Sequence, residues 1–439
     1  MTSEIISQLM GAWMDVQGIL IFLCVLLLLK NMFDFRFSNM PPGPFPLPFI
    51  GNLMSIGFND PMEIFPKIAE RYGGVSTLYL GRRPCILLTG YEAFKEAFVE
   101  QADVFMERPF FPVNDRICNG KGLIFSGGHM WHQQRRFAVA TLKYFGVGKK
   151  TLENSILQEC QFVCEALRVE RGLPFNPHDL LNCAVGNIIC SLVFGYKFEY
   201  DDQRFYQLLK YSDDTFKLPI NRFGRSKDSE AEFTEENLIH CLLDLFGAGT
   251  ESTAKSLSWG LLYMAKYPEV QEKVQAEIDH VIGQTRQPLM EDRTYLPYTY
   301  AVIHEVQRFA NVLAFIPPRV ACRDTTVAGY LIPKGVMVLP MLKPILEDKK
   351  EYSAPHEFNP THFLDENGKF QKRERFIPFS IGKRMCSGEQ LARMELFLLF
   401  VSLMQNFTFL PPEGETLSLK RTVAIASAPE PFRIRAIPR

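Results

Sequence analysis

The pattern of apolar and polar positions predicts a chain that is mainly helical, with a small amount of sheet near its start. Val75 to Leu80 and Cys85 to Thr89 are short apolar runs, and residues 81–84, Gly-Arg-Arg-Pro, separate them as a turn. Such a sequence is typical of a β-hairpin. Most other segments repeat their apolar positions at helical spacing. We therefore expect a fold that is mainly α with a small β portion.

The longest helical pattern lies in the middle of the chain. Thr234 is a suitable N-cap, Phe233 and Leu238 are placed to form a hydrophobic staple around it, and the pattern continues to Lys266. We expect so long a helix to cross the core. Residues 248–253, Ala-Gly-Thr-Glu-Ser-Thr, bring small residues, a carboxylate and hydroxyls into one part of it. Plain core packing disfavours that choice, so the sequence predicts that something occupies the space beside this part of the helix.

The N-terminal segment is the most apolar part of the chain. Gly18 to Leu29 is almost purely apolar, and the residues back to Met10 extend it to the roughly 20 positions that a membrane helix needs. A cleaved signal peptide is the competing interpretation, but no basic residue precedes the run and no small-x-small site follows it. We predict a signal-anchor transmembrane segment over residues 1–30, a proline-rich hinge over 31–50, and one large domain over 51–439.

Composition and charge narrow the classes of partner. A chain of 439 residues with 47% hydrophobic content can bury a large core. Its net charge of −1 gives no general attraction to nucleic acid, and no nucleic-acid partner is expected. Lys30 and Arg36 follow the apolar run, which predicts that the rest of the chain faces the cytosol. The ten cysteines contain no CxxC pair, which indicates a reducing compartment and no zinc module.

Residues 379–388, Phe-Ser-Ile-Gly-Lys-Arg-Met-Cys-Ser-Gly, have the composition of a metal cradle. A thiolate that binds iron needs backbone N–H groups, a nearby cation and often a helix N-terminus directed at sulfur. Gly382, Arg384 and a helix predicted over Glu389 to Met404 supply these around Cys386. A lone cysteine is more often a small buried hydrophobe, so the argument depends on the whole pattern.

That pattern, Phe-x-x-Gly-x-Arg-x-Cys-x-Gly, resembles the cytochrome P-450 haem-thiolate monooxygenases, in particular the microsomal vertebrate family-2 type. The resemblance implies a cytochrome P-450 fold with an N-terminal membrane anchor, haem b as the cofactor and Cys386 as the iron ligand. Trp131 and Arg135 match the family's W-x-x-x-R pair, which holds a haem propionate. Without the resemblance they would be a structural tryptophan and a solvated arginine. The cofactor-binding residues that the resemblance implies are Arg108, Trp131, Arg135, Arg319, Phe379, Arg384 and Cys386.

Residues 248–253 resemble the family's oxygen-activation motif, which implies catalytic roles for Glu251, Ser252 and Thr253. An acid–alcohol pair relays protons in that motif, and Ser252 stands where the alcohol is usually threonine. Serine lacks the methyl group that restricts χ1 and is expected to hold its oxygen less firmly. The resemblance further implies six residues that line the substrate pocket: Phe125, Ala248, Phe315, Ile316, Ala424 and Ile425.

Glu305 and Arg308 match the family's E-x-x-R pair on a helix that is predicted to begin at Pro297. Such i,i+3 pairs are usually ordinary surface features. The resemblance instead implies a structural brace, with His362 as its basic partner at a position where relatives have arginine. Residues from Thr422 to Ile437 are predicted to form the terminal strands.

The chain departs from the family between its two halves. Only the sixteen residues 217–232 separate Phe216 from Phe233. Relatives place the end of the F helix and the G and H helices there, and three helices with their connections need roughly 50 residues. We therefore expect an internal deletion near 217–232. Most of the pocket's roof would be missing, and the apolar side chains of the central helix around Leu242, Leu245 and Phe246 would lose their cover.

The resemblance implies insertion of one oxygen atom from O2 into lipophilic substrates such as fatty acids, steroids or xenobiotics. Electrons would come from NADPH through NADPH-cytochrome P-450 reductase at the endoplasmic reticulum membrane, with cytochrome b5 and membrane lipid as further partners. The alternative is a catalytically impaired or non-catalytic haem-binding isoform that lacks its pocket roof. A structural membrane protein without haem is disfavoured by the concurrence of three motifs. Five basic residues are candidates for a docking face, with solvated surface charge as the alternative interpretation: Lys143, Lys149, Lys150, Lys383 and Arg393.

Overall fold

A computed structural model describes residues 16–27, 39–57, 61–110, 118–146, 149–217, 234–314, 316–422, 424 and 426–439. Helices dominate, as predicted. In chain order they are α1 (16–27), α2 (Leu53–Gly57), α3 (Pro61–Tyr72), α4 (Tyr91–Lys95), α5 (Gly128–Tyr144), α6 (Lys150–Val169), α7 (His178–Val193), α8 (Gln203–Lys217), α9 (Glu235–Lys266), α10 (Pro268–Val281), α11 (Pro297–Ala310), α12 (Lys343–Leu346) and α13 (Glu389–Asn406). A π-helical turn at Glu96–Glu100 continues α4, and 3-10 turns occur at Met290–Tyr295 and Pro360–Phe363.

Three small sheets accompany the helices. Their strands are β1 (Val75–Leu80), β2 (Arg83–Leu88), β3 (Arg319–Val320), β4 (Thr325–Val327), β5 (Tyr330–Ile332), β6 (Met337–Pro340), β7 (Phe407–Leu410) and β8 (Arg435–Pro438). One sheet has the order β1-β2-β6-β3, while β4 pairs with β5 and β7 with β8.

The predicted hairpin is present as the antiparallel pair β1–β2. Its second strand begins two residues earlier than expected, and Pro84 pairs with Tyr79. A proline fits there because β2 pairs with β6 only from Cys85 onward, so Pro84 is not required to donate a hydrogen bond to a second neighbour.

The predicted terminal strands are shorter than expected, since Arg435–Pro438 is the one strand assigned among the described residues after 422, and it pairs with β7. The N–H of Thr422 instead donates to the carbonyl of Ala428 at 2.8 Å.

The central helix α9 begins and ends where the sequence predicted. The Thr234 side chain caps it by accepting the N–H of Asn237 at 3.1 Å, whereas Phe233 of the expected staple lies outside the described residues. Most side chains from Thr250 to Ala265 are buried, in a core shared with α6, α7, α11 and α13. The expectation that Phe246 would be uncovered is wrong, because this side chain is 1% exposed and belongs to that core.

The segment predicted as a membrane anchor, residues 1–30, is described only over 16–27, where α1 is helical and exposed. Among the described residues, no helix has the length and apolarity to cross a membrane.

Candidate active site

A cavity of about 410 Å³ lies between α9 and the segment that precedes α13. This volume falls within the roughly 300–1,000 Å³ that is common for small-molecule pockets. Cys386, Glu251, Ser252 and Thr253 all line it, so the cysteine segment and the hydroxyl-rich part of the central helix face the same space. Residues about 130 positions apart in the sequence thus meet at one site.

The loop that carries Cys386 is fixed by its own backbone. The N–H of Cys386 donates to the carbonyl of Phe379 at 3.0 Å, and that of Met385 donates to Gly382 at 3.0 Å. Gly382 has φ of +82°, and a Cβ there would lie 1.8 Å from the carbonyl oxygen of Phe98. Only glycine fits this position. The sequence therefore produces a rigid turn that holds the thiol just before the N-terminus of α13.

Opposing effects act on the Cys386 thiol. Its side chain is exposed toward the cavity although the protein surrounds it deeply. Burial raises its pKa, while backbone hydrogen bonds from Gly388 and Glu389 and the charge of Arg135 act in the opposite direction. These amides belong to the start of α13, where the helix dipole also favours negative charge. These groups therefore favour a thiolate at Cys386, and a bound cation would balance the charge that burial disfavours.

Four guanidinium groups face the same cavity, those of Arg108, Arg135, Arg319 and Arg384. Burial, together with repulsion from Arg384 and Arg135, lowers the pKa of Arg319 to about 9. Burial, followed by repulsion from Arg108, lowers the pKa of Arg384 to about 8. Because arginines remain protonated in proteins, such a cluster has a large uncompensated electrostatic energy. An anionic ligand would relieve it.

Three buried N–H groups of this cluster have no hydrogen-bond partner among the described residues: Trp131 Nε1, Arg319 Nε and Arg384 Nη1. The Arg384 guanidinium carbon lies 3.7 Å from the centre of the Trp131 ring, and that of Arg135 lies 5.6 Å from it. Buried donors are normally satisfied. Together with the excess positive charge, they indicate a site for carboxylate oxygens.

Three neighbouring polar residues of the central helix line the cavity, and each has a defined partner. The Ser252 hydroxyl donates to the carbonyl of Ala248 at 2.7 Å. Thr253 hydrogen-bonds the buried carboxyl of Glu395, on α13. Glu251 is 2% exposed and forms an ion pair with Lys255.

Comparisons with known proteins agree with this geometry. The profile of the family described as Cytochrome P450 matches residues 41–226 and 220–436. The chain belongs to the cytochrome P450 family. Human Cytochrome P450 2J2 is 43% identical over 464 aligned positions that cover 92% of each chain. Cytochrome P450 2J3 of Rattus norvegicus is 41% identical over 497 positions that cover 99% of each, and Cytochrome P450 2H2 of Gallus gallus is 38% identical, covering 91% of this chain and 94% of its own.

As a family-2-like cytochrome P450, the chain is a haem monooxygenase that uses O2 and acts on lipophilic molecules. The residues around the cavity fit haem. A thiol directed into the cavity suits the iron, and a cationic cluster with unpaired N–H donors suits the two propionates. The mainly helical fold is the one that the resemblance implied.

The structure places three of the six expected pocket residues at the cavity of this cytochrome P450. Phe125, Ala248 and Ile316 line it, while Phe315 and Ile425 lie outside the described residues. Ala424 is not among the described lining residues, and Ala426 takes that place.

The E-x-x-R pair is a buried structural brace in the described fold. Both side chains are fully buried, and Arg308 Nε and Nη2 donate to the two carboxylate oxygens of Glu305 at 2.7 Å each. Arg308 also donates to the carbonyls of Leu346, Pro355 and Glu357. The surface-pair interpretation is therefore wrong.

The basic partner predicted for the brace is also in place. His362 Nδ1 lies 3.3 Å from Glu305 Oε1, and the backbone N–H of Asn359 donates to the same oxygen at 2.9 Å. The segment around His362 is thereby held against α11.

Sequence reasoning missed several polar residues in and beside the site, among them Glu395, Lys255 and Asp244. Lys255 was detectable, because it follows Glu251 at the i,i+4 spacing of helical ion pairs. Asp244 carried no local signal, since its Oδ2 accepts the N–H groups of Leu123 and Ile124, at 2.6 and 2.9 Å, more than 100 positions away. Burial raises the pKa of Asp244 to about 6. This carboxyl fastens the segment that carries Phe125 to the central helix.

Proposed function

We propose that Cys386 is the axial iron ligand and that this chain inserts one oxygen atom from O2 into lipophilic substrates such as fatty acids, steroids or xenobiotics. The observation that supports the proposal most is one cavity lined by Cys386, by a cluster of four buried or half-buried arginines and by the hydroxyl-rich part of the central helix. For haem-thiolate oxygenation the protein must supply a thiolate ligand, cations that bind the propionates and a pathway for protons.

The arginine cluster and Trp131 would hold the propionates. Trp131 Nε1, Arg319 Nε and Arg384 Nη1 are the unpaired donors that suit carboxylate oxygens. Arg108 already donates to the carbonyls of Ile124, Pro317 and Pro318. It therefore contributes mainly charge and keeps the nearby loops in place. Haem bound here supplies the reductive activation of O2, tuned by its thiolate ligand.

Ser252 and Glu251 would handle the protons. Ser252 donates to the carbonyl of Ala248, which orients its oxygen toward the cavity, where it can accept a proton and pass one on. Glu251 lies next to it on the same helix and also lines the cavity. Thr253 bonds to Glu395, so its role would be to position α13 against the central helix.

Electrons would come from NADPH through NADPH-cytochrome P-450 reductase, with cytochrome b5 as a further donor. Lys143, Lys149 and Lys150 are exposed at the junction of α5 and α6. Lys383 and Arg393 pair with Asp103 and Glu389, so they contribute less free charge to docking. The family supports a location at the endoplasmic reticulum membrane, with residues 1–30 as the anchor, 31–50 as the hinge and the 51–439 domain in contact with lipid on the cytosolic side.

The chain would lack most of the F–G–H region of its relatives. The family profile matches in two parts that meet at 220–226. The alignments of this chain with Cytochrome P450 2J2 and Cytochrome P450 2J3 span 464 and 497 positions. Both exceed the 439 residues of the chain, so the alignments contain gaps on its side. Helix α8 still contributes Leu208, Tyr211 and Ser212 to the cavity lining. The comparisons do not support the alternative of a non-catalytic isoform.

The deciding experiment is the absorption spectrum of the reduced, carbon monoxide-bound protein. We expect a red-shifted Soret band in the wild type and its loss in Cys386→Ser. Cys322→Ser is the matched control, because Cys322 is an exposed cysteine outside the described cavity lining. NADPH-dependent product formation with purified reductase then tests turnover. Persistence of the band in Cys386→Ser would show that another residue binds iron.

A further inference from the structure

Lys255 is a buried lysine on the central helix, one turn after Glu251. Its Nζ lies 2.5 Å from Glu251 Oε2, and both side chains are only 3% exposed. The order is favourable, because glutamate on the N-terminal side of lysine at i,i+4 suits the helix dipole. Exposed pairs of this kind contribute little, but burial changes that. A lysine in the interior must be paired, since an unpaired buried ammonium is very costly.

The pair lies beside the candidate proton pathway. Glu251 lines the cavity and precedes Ser252, whereas Lys255 is not among the described lining residues. The carboxylate therefore faces the cavity on one side and an ammonium on the other. The neighbouring hydroxyls are engaged elsewhere, Ser252 with the carbonyl of Ala248 and Thr253 with Glu395.

Glu395 provides an internal comparison, because it is a second buried carboxyl at the same cavity. Burial raises its pKa well above the ordinary value, and the hydrogen bond from Thr253 opposes this only in part. Two buried carboxyls, one hydrogen-bonded by a threonine and one ion-paired with a lysine, thus line the same cavity. Two carboxyls with different surroundings commonly take different roles.

We propose that Lys255 is a positioning residue whose buried ion pair holds the Glu251 carboxylate in place on the central helix. Proton delivery through Glu251 then requires this ion pair to loosen. The inference rests on the proposed role of Glu251 beside Ser252, and it assigns the control of that role to a residue outside the motif at 248–253.

Infrared difference spectroscopy of the purified holoenzyme tests the charge state directly. Wild type minus Glu251→Gln should show an ionised carboxylate band. Lys255→Met minus the double variant Glu251→Gln/Lys255→Met should instead show the carbonyl stretch of a protonated carboxyl, because a buried carboxylate without a cation takes up a proton. Lys255→Arg should restore the carboxylate band. Lys266→Met is the control, since Lys266 ends the same helix and donates to the carbonyl of Leu417.

An unchanged carboxylate signal from Glu251 in Lys255→Met would overturn the proposal. Urea unfolding gives an independent test that does not need turnover. Lys255→Met should unfold at a lower midpoint than the double variant, because only the single variant must protonate a buried carboxylate or leave it unpaired. If only the double variant folds, the coupling is supported. If the two changes have additive effects, or if neither variant folds while Glu251→Gln does, Lys255 acts independently of Glu251 and the proposal is wrong.

The carbonyl spectrum separates this inference from the proposed function. All folded variants should keep the red-shifted band, because neither Lys255 nor Glu251 contacts Cys386. A wild type without that band would refute the haem-thiolate function, whatever the infrared result for Lys255.

Discussion

Replacing Arg308 by methionine is expected to remove most of the stability of this protein. The guanidinium is fully buried and makes two hydrogen bonds to Glu305 and three to backbone carbonyls. Methionine fills a similar volume but leaves the Glu305 carboxylate without its arginine partner. Breaking a buried pair costs about 3–5 kcal/mol, and each buried carbonyl left unpaired adds about 1–3 kcal/mol.

The expected loss is therefore on the order of 10 kcal/mol, comparable to the whole stability of a typical domain. His362 does not compensate, because one ring nitrogen lies 3.3 and 3.4 Å from the two oxygens of Glu305, whereas Arg308 donates two N–H groups at 2.7 Å each. We expect little soluble holoenzyme from Arg308→Met.

The assay measures the midpoint of urea unfolding by tryptophan fluorescence. It also measures the haem-to-protein ratio after purification. The double variant Glu305→Gln/Arg308→Met should recover part of the loss, because it removes the isolated charge. Arg204→Met is the control, since Arg204 forms an exposed pair with Asp202 and its loss should leave the midpoint unchanged. A folded Arg308→Met protein whose stability is within about 1 kcal/mol of wild type, the value of an exposed pair, would refute the reasoning.

Three further predictions follow from the site. Ser252→Ala should keep the carbonyl spectrum but divert NADPH consumption to peroxide, and an unchanged yield of product per NADPH would contradict the proton role of this hydroxyl. Burial raises the pKa of Asp244 from 3.8 to about 6, so the folded state binds more protons than the unfolded state between these values. Stability should therefore fall as pH rises through this window, by about 3 kcal/mol; urea midpoints of Asp244→Asn should lack this slope, and an equal slope in both proteins would exclude Asp244 as its source. Trp131→Phe removes an unpaired N–H and should speed haem loss to apomyoglobin, whereas Trp259→Phe, whose N–H bonds to the carbonyl of Ser427, should not; equal haem-loss rates would argue against a propionate contact.

Local sequence determined the elements that depend on neighbouring residues. The capping threonine at 234 and the periodic apolar positions fixed the central helix, and the turn residues at 81–84 fixed the hairpin. Both are set by interactions within a few positions of the chain, which is why the bounds of the helix and the place of the hairpin, to within two residues, could be predicted. The turn around Cys386 could be predicted in the same way, because its glycine and its backbone hydrogen bonds lie within ten residues.

Tertiary structure decided what those elements do together. The cluster of four arginines brings together positions from 108 to 384, and no local pattern reports such a meeting. By spacing alone, Glu305–Arg308 and Glu251–Lys255 are ordinary surface pairs. In the folded protein other elements bury both pairs and shield them from water. The same packing also covered Phe246, which the shortened connection was expected to expose. Spacing along a helix fixes which side chains meet, but only the packing of other elements around them sets the dielectric environment and hence the strength of the charge interaction.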